Sequence, residues 1–180
     1  MPEGKKKLAG EERRQYLLDV LKNSQAPMKG SELAVKANVS RQVIVGDMSL
    51  LKAKQEPILA TSEGYIYIHD KTNHHLFEQV VVCQHTPDQT KEELFIIVDH
   101  GVRVKDVKIE HPVYGDLTAS VMVSNRSEVE QFLTKLKETN APLLSELTDG
   151  IHLHTLEADS QEKLERACRS LRDAGILLQA

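Results

Sequence analysis

The pattern of apolar and polar positions predicts three helices and then a β-hairpin in the first part of the chain. Apolar residues recur at helical spacing over residues 11–23, and two shorter amphipathic segments follow within residues 31–55. Residues 57–69 instead alternate around a turn that contains Gly64, which is typical of two short strands joined by a glycine-assisted turn. Three helices followed by a hairpin predict a winged helix over residues 11–70.

The second and third predicted helices have the caps and the turn of a helix-turn-helix. Ser31 and Ser40 each stand where an N-cap is expected, because a serine oxygen can accept a hydrogen bond from a free N–H of the first helical turn. Asn38 suits the turn between the two helices. The residues expected to face inwards are Leu33, Ala34 and Ala37 in the second helix, and Val39, Val43, Met48 and Leu51 in the third.

A helix-turn-helix places its second helix in the major groove of DNA, although an ordinary helical hairpin can have the same pattern. Arg41 and Gln42 lie just after the predicted cap, where the side chains of a recognition helix meet base edges. Lys29 and Lys52 are placed to contact phosphates. The residues expected to bind DNA are Lys29, Ser40, Arg41, Gln42 and Lys52.

The distribution of charge agrees with DNA binding by the N-terminal part. Residues 1–69 carry 11 Lys and Arg against 8 Asp and Glu, a net charge of +3, and the rest carries 12 against 19, a net charge of −7. A basic part on an acidic body is typical of a protein that contacts DNA with one end. Residues 1–10, which include three consecutive lysines, are expected to form a flexible arm.

Beyond a polar boundary at residues 70–75, segments with strand and helix patterns alternate. This predicts an α+β domain over residues 76–180, with helices packed on a β-sheet. The expected strands are residues 79–85, 102–109, 117–123 and 151–156, and the expected helices are residues 90–98, 127–138 and 160–174.

Histidines in this second domain are spaced as metal ligands can be. His152 and His154 are two apart on a predicted strand, so both imidazoles project from the same face. His85 ends another strand, and Glu92 or Glu93 lies on the helix that follows it. Three histidines and one carboxylate suit a divalent transition metal such as Zn, Ni, Fe or Mn. Two ordinary surface histidines are the alternative, because the sequence does not show whether these segments converge.

Other features exclude several classes of protein. The chain has no Gly-x-Ser-x-Gly motif, no cysteine beside a histidine and no phosphate-binding glycine loop, so nucleophilic catalysis is not indicated. Cys83 and Cys168 lie far apart and are expected to be buried, reduced thiols, which favours a cytoplasmic location. No apolar stretch is long enough to span a bilayer, so no membrane partner is expected.

Several local motifs together resemble one known family. They are Leu33-Ala…Val39-Ser-Arg-Gln-Val43, His85 with Glu92-Glu93-Leu94, Val107-x-x-Glu-His-Pro-Val-Tyr-Gly115 and Asp149-Gly-Ile-His-Leu-His154. The chain is similar, over nearly all of residues 11–178, to the bacterial niacin-responsive transcriptional repressors. These have an N-terminal winged helix and a C-terminal domain called 3H after its histidines.

The resemblance implies a homodimeric repressor of NAD-biosynthesis or niacin-uptake genes rather than an enzyme, with operator DNA as its partner and nicotinic acid as co-repressor. It also implies a divalent metal ion in the 3H domain. Carried over by position, the metal ligands are His85, Glu93, His152 and His154.

The contacts of nicotinate stay open at this stage, and so do two other functions. Its carboxylate or its ring nitrogen could complete the coordination of the metal, or a basic residue such as Arg103 could pair with the carboxylate. A metal-dependent enzyme that activates water at the histidines is one alternative function. The other alternative is a winged helix that serves as a protein-interaction module.

Two residues depart from what the resemblance leads us to expect. Gly46 lies inside the recognition helix, where relatives usually carry a longer polar residue, and a glycine there costs about 0.5–1 kcal/mol of helix stability. Glu63 stands at the tip of the predicted wing, where a basic residue would favour contact with phosphate.

Overall fold

The structure is a computed structural model that describes residues 8–68 and 76–179. The chain divides into two compact units at residues 72 and 73, and each unit has its own apolar core. The predicted boundary at residues 70–75 and most of the predicted arm lie outside the described residues. Within the described ranges, no helix is both long and apolar enough to cross a membrane.

The N-terminal unit contains three helices and an antiparallel hairpin in the order that the sequence predicted. Thr61 pairs with Gly64 at the end of the hairpin, so Ser62 and Glu63 form its turn. Gly64 has φ +138°, and a Cβ there would lie 2.3 Å from the carbonyl oxygen of Met28, so only glycine fits. The elements are α1 (Gly10–Lys22), α2 (Gly30–Ala37), α3 (Arg41–Ala53), β1 (Ile58–Thr61) and β2 (Gly64–Tyr67).

Two details of the helix-turn-helix differ from the prediction. Ser31 is not an N-cap, because α2 begins at Gly30 and Lys29 occupies the cap position. Ser40 is the N-cap of α3, and its hydroxyl accepts a hydrogen bond from the backbone N–H of Val43 at 3.4 Å. The inward position predicted for Val43 was wrong, since this side chain is 37% exposed and Ile44 is fully buried instead.

A buried ion pair, which the sequence did not predict, holds α3 against α1. Asp47 is buried on the inner side of α3, and its two carboxylate oxygens accept hydrogen bonds from Arg13 at 2.6 and 3.2 Å. Arg14 adds a longer contact of 3.4 Å to the same carboxylate. Two bonds from one guanidinium define an orientation as well as a distance, so this pair fixes how α3 lies on α1.

The C-terminal unit is an antiparallel sheet with three helices, which confirms the α+β prediction. The strand order is β5-β4-β6-β3-β7, and every neighbouring pair is antiparallel. The elements are β3 (Phe77–Gln84), α4 (Thr90–Asp99), β4 (Arg103–His111), β5 (Gly115–Val123), α5 (Arg126–Thr139), β6 (Ile151–Ala158), α6 (Gln161–Asp173) and β7 (Leu177–Gln179).

One apolar cluster joins the three helices to one face of this sheet. Val81 of β3 and Leu156 of β6 pack in it with Leu94 of α4, Val129 of α5 and Leu164 of α6. Alternate strand residues face this layer, as the period of two requires. The short strand β7 was not predicted, since three residues carry too little pattern to be recognised.

Replacement of Gly46 by alanine is expected to stabilise the N-terminal unit by about 0.5–1 kcal/mol. Gly46 lies within α3, is exposed, and a Cβ there would meet nothing within 4 Å. Urea unfolding of the full chain, followed by circular dichroism, measures the change. Gly64→Ala is the matched control and should destabilise the unit, because its Cβ would clash with backbone. A Gly46→Ala protein less stable than the wild type would contradict this account of α3.

Candidate metal centre

Three histidines and one glutamate meet in the core of the C-terminal unit, and we call them the His–Glu cluster. The side chains of His85, Glu93, His152 and His154 are only 1–4% exposed. The Nε2 atoms of His85, His152 and His154 lie 2.8, 3.1 and 3.4 Å from the nearest carboxylate oxygen of Glu93. The structure thus brings together the four residues that the resemblance implied as metal ligands.

The antiparallel pairing of β3 with β6 brings the four residues together. His152 pairs with Cys83 on β3, so the end of β3 and the start of β6 are neighbours, and His85 follows β3 directly. Gly150 has φ +86°, and a Cβ there would lie 2.3 Å from the carbonyl oxygen of His85, so a larger residue would separate the two segments. Glu93 lies in the first turn of α4, and its carboxylate reaches the junction between the end of β3 and the start of β6.

Glu93 rather than Glu92 faces the histidines, which resolves the choice that the sequence left open. Glu93 is 1% exposed, whereas Glu92 is on the exposed side of α4. Consecutive helix residues point about 100° apart, so only one of the two glutamates can face the sheet.

Each imidazole of the cluster is held by a backbone carbonyl on the side away from Glu93. A carbonyl oxygen only accepts hydrogen bonds, so Nδ1 carries the proton and donates it, which leaves a lone pair on Nε2 of a neutral ring. Metal-bound histidines are typically supported in this way. The distances from Nδ1 to the carbonyl oxygens are 2.8 Å for His85 to Thr86, 2.9 Å for His152 to Gly150 and 2.7 Å for His154 to Asp106.

The electrostatics of the cluster favour a positive charge at its centre. Burial raises the pKa of Glu93, but the surrounding histidines outweigh burial and hold that pKa well below its usual range. Burial lowers the pKa values of His85 and His154, and the Glu93 carboxylate outweighs it and raises both. The Glu93 carboxylate is therefore ionised with positive charge beside it, which either a proton on a neighbouring Nε2 or a cation bound by the Nε2 lone pairs would supply.

Cys83 is a neighbour of the cluster that sequence reasoning did not connect with it. Its sulfur, a carboxylate oxygen of Glu93 and a ring nitrogen of His152 lie within 4.8 Å of one another. The prediction that Cys83 is a buried, free thiol is confirmed. Burial, followed by the negative charge of Glu93, raises the pKa of this thiol, so it stays protonated and is a weaker ligand than the imidazoles.

A cavity of about 170 Å³ adjoins the His–Glu cluster. All four cluster residues and Thr90 line it, and the rest of its wall is mainly apolar. The apolar wall includes Leu94, Val107, Ala119, Val121, Phe132 and Leu136.

Arg103, the candidate partner for a carboxylate, is not among the residues that line this cavity. Its guanidinium donates hydrogen bonds to the carboxylate of Glu157 at 3.0 Å and to the hydroxyl of Ser124 at 2.9 Å. The side chain is 43% exposed.

The five residues predicted to contact DNA are all exposed on the winged helix. Arg41 and Gln42 occupy the first turn of α3, directly after Ser40. Lys29 precedes α2, and Lys52 lies in the last turn of α3 with its Nζ 5.9 Å from the centre of the Tyr65 ring.

Each of the two units matches a known protein domain. Residues 13–66 match the helix-turn-helix domain, and residues 78–180 match the 3H domain. The chain is therefore a DNA-binding protein of the helix-turn-helix class that carries a 3H domain.

Two relatives are similar over nearly their whole length. The "Transcription repressor NadR" of Bacillus subtilis (strain 168) is 56% identical over 174 residues, which are 96% of this chain and 97% of the relative. The "Probable transcription repressor NiaR" of Thermotoga maritima is 36% identical over 173 residues, again 96% of this chain and 97% of the relative. The chain belongs to the NiaR/NadR family of transcription repressors. It is a repressor and not the metal-dependent enzyme that the histidines alone left open.

Proposed function

We propose that the chain is a metal-containing, nicotinic acid-responsive repressor of genes for NAD biosynthesis or niacin uptake, acting on operator DNA in the cytoplasm as a homodimer. One observation carries the proposal: a buried cluster of three histidines and a glutamate beside an apolar cavity, in the domain joined to a helix-turn-helix. The repressor relatives support the DNA-binding half, and the cluster with its cavity supports the sensing half.

The donor set fits a divalent transition metal such as Zn, Ni, Fe or Mn. His85, Glu93, His152 and His154 would hold the ion, and three of them are already oriented by backbone carbonyls. A bound ion would supply a Lewis-acidic centre for an anionic or lone-pair group of the effector. The polypeptide itself supplies the buried surroundings that exclude water from this contact.

The size and lining of the cavity fit an effector with a single aromatic ring. An engineered cavity of about 150 Å³ lined by apolar residues binds benzene, and the cavity beside the cluster measures about 170 Å³. Nicotinic acid has one six-membered ring and one carboxylate, so its ring matches the apolar wall and its polar groups match the polar end.

Control of repression requires that nicotinic acid bind the DNA-binding form of the protein more tightly than the other forms. In a homodimer, two winged helices would bind two half-sites of the operator. A change in the distance or orientation between the two winged helices would therefore alter DNA affinity. Arg41 and Gln42 would then read base edges, while Lys29, Ser40 and Lys52 would contact the backbone.

The central test is binding of a promoter fragment, measured by fluorescence anisotropy with and without nicotinic acid. We expect tighter DNA binding with nicotinic acid. We expect a chelator to remove this difference, because the proposed binding of nicotinic acid requires the metal ion. Equal affinity in the presence and absence of nicotinic acid, in metal-loaded protein, would contradict the proposal.

Substitution of the recognition residues should weaken this complex. Arg41→Ala or Gln42→Ala is expected to cost about 1–3 kcal/mol of specific binding, since each removes a base contact. Raising the salt concentration from about 50 to about 200 mM should lower affinity by roughly 10³-fold or more if at least six phosphates are contacted. Arg166→Ala, an exposed arginine on α6, is the control and should bind DNA like the wild type. Unchanged affinity in both recognition variants would place the DNA contacts elsewhere.

Loss of one cluster histidine should remove the metal. His154→Ala takes away one ligand, and elemental analysis of the purified protein is expected to show a large drop in bound metal. His100→Ala is the matched control, because the ring of His100 lies against the hydroxyl of Ser170 at 2.9 Å and not in the cluster. Equal metal in the wild type and the His154→Ala protein would rule out His154 as a ligand.

A further inference from the structure

The three helices of the C-terminal unit pack on one face of its sheet, and we call the other side the open face. The helix-covered side carries Val81 and Cys83 of β3 and Leu156 of β6. Because neighbouring strand residues point to opposite sides, the residues between these belong to the open face. Leu178 of β7 also lies there, since its neighbour Leu177 is part of the helix-covered core.

An apolar patch lies in the middle of the open face. Val80, Ile151 and Leu178 are 48%, 43% and 56% exposed, and Val82 and Leu153 are half-buried. Val82 pairs with Leu153 across β3 and β6, and β7 pairs with β3 at the same point, so these residues are neighbours on three adjacent strands. We call the five residues the open-face patch.

Such a patch is not typical of a sheet face in contact with water. An antiparallel sheet with one solvated face alternates apolar and polar residues, whereas strands buried on both faces have continuous apolar runs. Residues 80–83 form such a run, Val-Val-Val-Cys, and β3 and β6 are inner strands of the sheet. A contiguous apolar patch at this place indicates a surface that another surface covers.

The charged side chains around the patch are neutralised within the chain. Three cations of the open face each form an ion pair with a carboxylate of the same face. The pairs are Arg103 with Glu157, Lys105 with Glu78 and Lys108 with Asp106. A strongly charged partner would have to compete with these pairs, whereas a second copy of the chain brings an equally neutral surface. Neutral charge suits a symmetric interface, in which each patch must complement itself.

Two acidic residues limit where two copies can meet. Glu110 and Asp116 are exposed and pair in register across β4 and β5, so two copies in contact there would bring like charges together. The strands β6, β3 and β7 carry the open-face patch and lie on the other side of β4. A contact between two copies is therefore centred on these three strands.

The open face is large enough for a stable dimer. Strands lie about 4.8 Å apart and rise about 3.4 Å per residue, so the four long strands cover roughly 20 by 27 Å. The flat area of about 540 Å² is a lower bound, because side chains that project from the sheet expose more surface and β7 adds a fifth strand. A stable interface buries about 800 Å² of accessible surface on each partner.

We infer that the open faces of two copies of this chain pack against each other about a two-fold axis, with the open-face patch at the centre of the contact. Two sheets that pack in this way lie about 10 Å apart. The inference rests on the homodimer of the proposed function and names its interface. On β6, Ile151 and Leu153 alternate with His152 and His154, so the metal centre lies directly behind the interface. A shift of β6 on effector binding would therefore reach the dimer contact.

Sedimentation equilibrium of the full chain tests this interface, and the wild type is expected to be a dimer. Val80→Lys places a charge within the patch of both copies. It should raise the dissociation constant of the dimer by about 100-fold or more, because the charge becomes buried without a partner. Leu178→Lys should have the same effect from a different strand. Both side chains are about half exposed in a single copy, so the folded monomer can accept lysine, and circular dichroism checks this.

Val35→Lys is the matched control, because Val35 is an exposed valine on α2 in the other unit. This protein should dimerise like the wild type, and its failure to do so would place the contact in the N-terminal unit and overturn the inference. A dimeric wild type whose Val80→Lys and Leu178→Lys proteins dimerise equally tightly overturns the interface and leaves the homodimer intact. A monomeric wild type would leave the patch to a different partner and overturn the homodimer together with this inference.

Discussion

The buried carboxylate of Glu93 is the constraint on which the centre of the C-terminal unit depends. An ionised carboxylate in a protein core is costly unless positive charge or hydrogen-bond donors meet it. Here three Nε2 atoms lie 2.8–3.4 Å away, and backbone carbonyls hold the opposite sides of their rings. The same four side chains therefore favour a cation at their centre and provide the atoms that can bind it.

A second buried carboxylate, Asp47, has the corresponding role in the winged helix. Its two oxygens are paired with Arg13 of α1, so α3 has a defined orientation although Gly46 lowers its intrinsic helix stability. The ion pair is on the inner side of α3, whereas Arg41 and Gln42 are exposed at its start. A recognition helix needs this division between an anchored side and an exposed side.

Sequence periodicity predicted nearly all of the elements, and it was less reliable about which side chain faces inwards. The strands and helices of the C-terminal unit were predicted in the correct order, because each is long enough to show a period of 2 or 3.6. In α3, Val43 was predicted to be buried and Ile44 is buried instead. A shift of one residue rotates a helix by about 100°, and two adjacent apolar residues do not fix that angle. The cap predicted at Ser31 was wrong because α2 begins at Gly30, two residues before a cap at Ser31 would allow.

The sequence by itself determined the helix-turn-helix and the shared direction of His152 and His154, because both follow from local chain geometry. The tertiary structure decided that Glu93 rather than Glu92 joins them and that His85 reaches the same point. These facts depend on the antiparallel register of β3 with β6 and on the docking of α4, which join segments about 60 residues apart. Contacts at that separation leave no periodic signal in the chain, so only the packed domain shows which residues share a site.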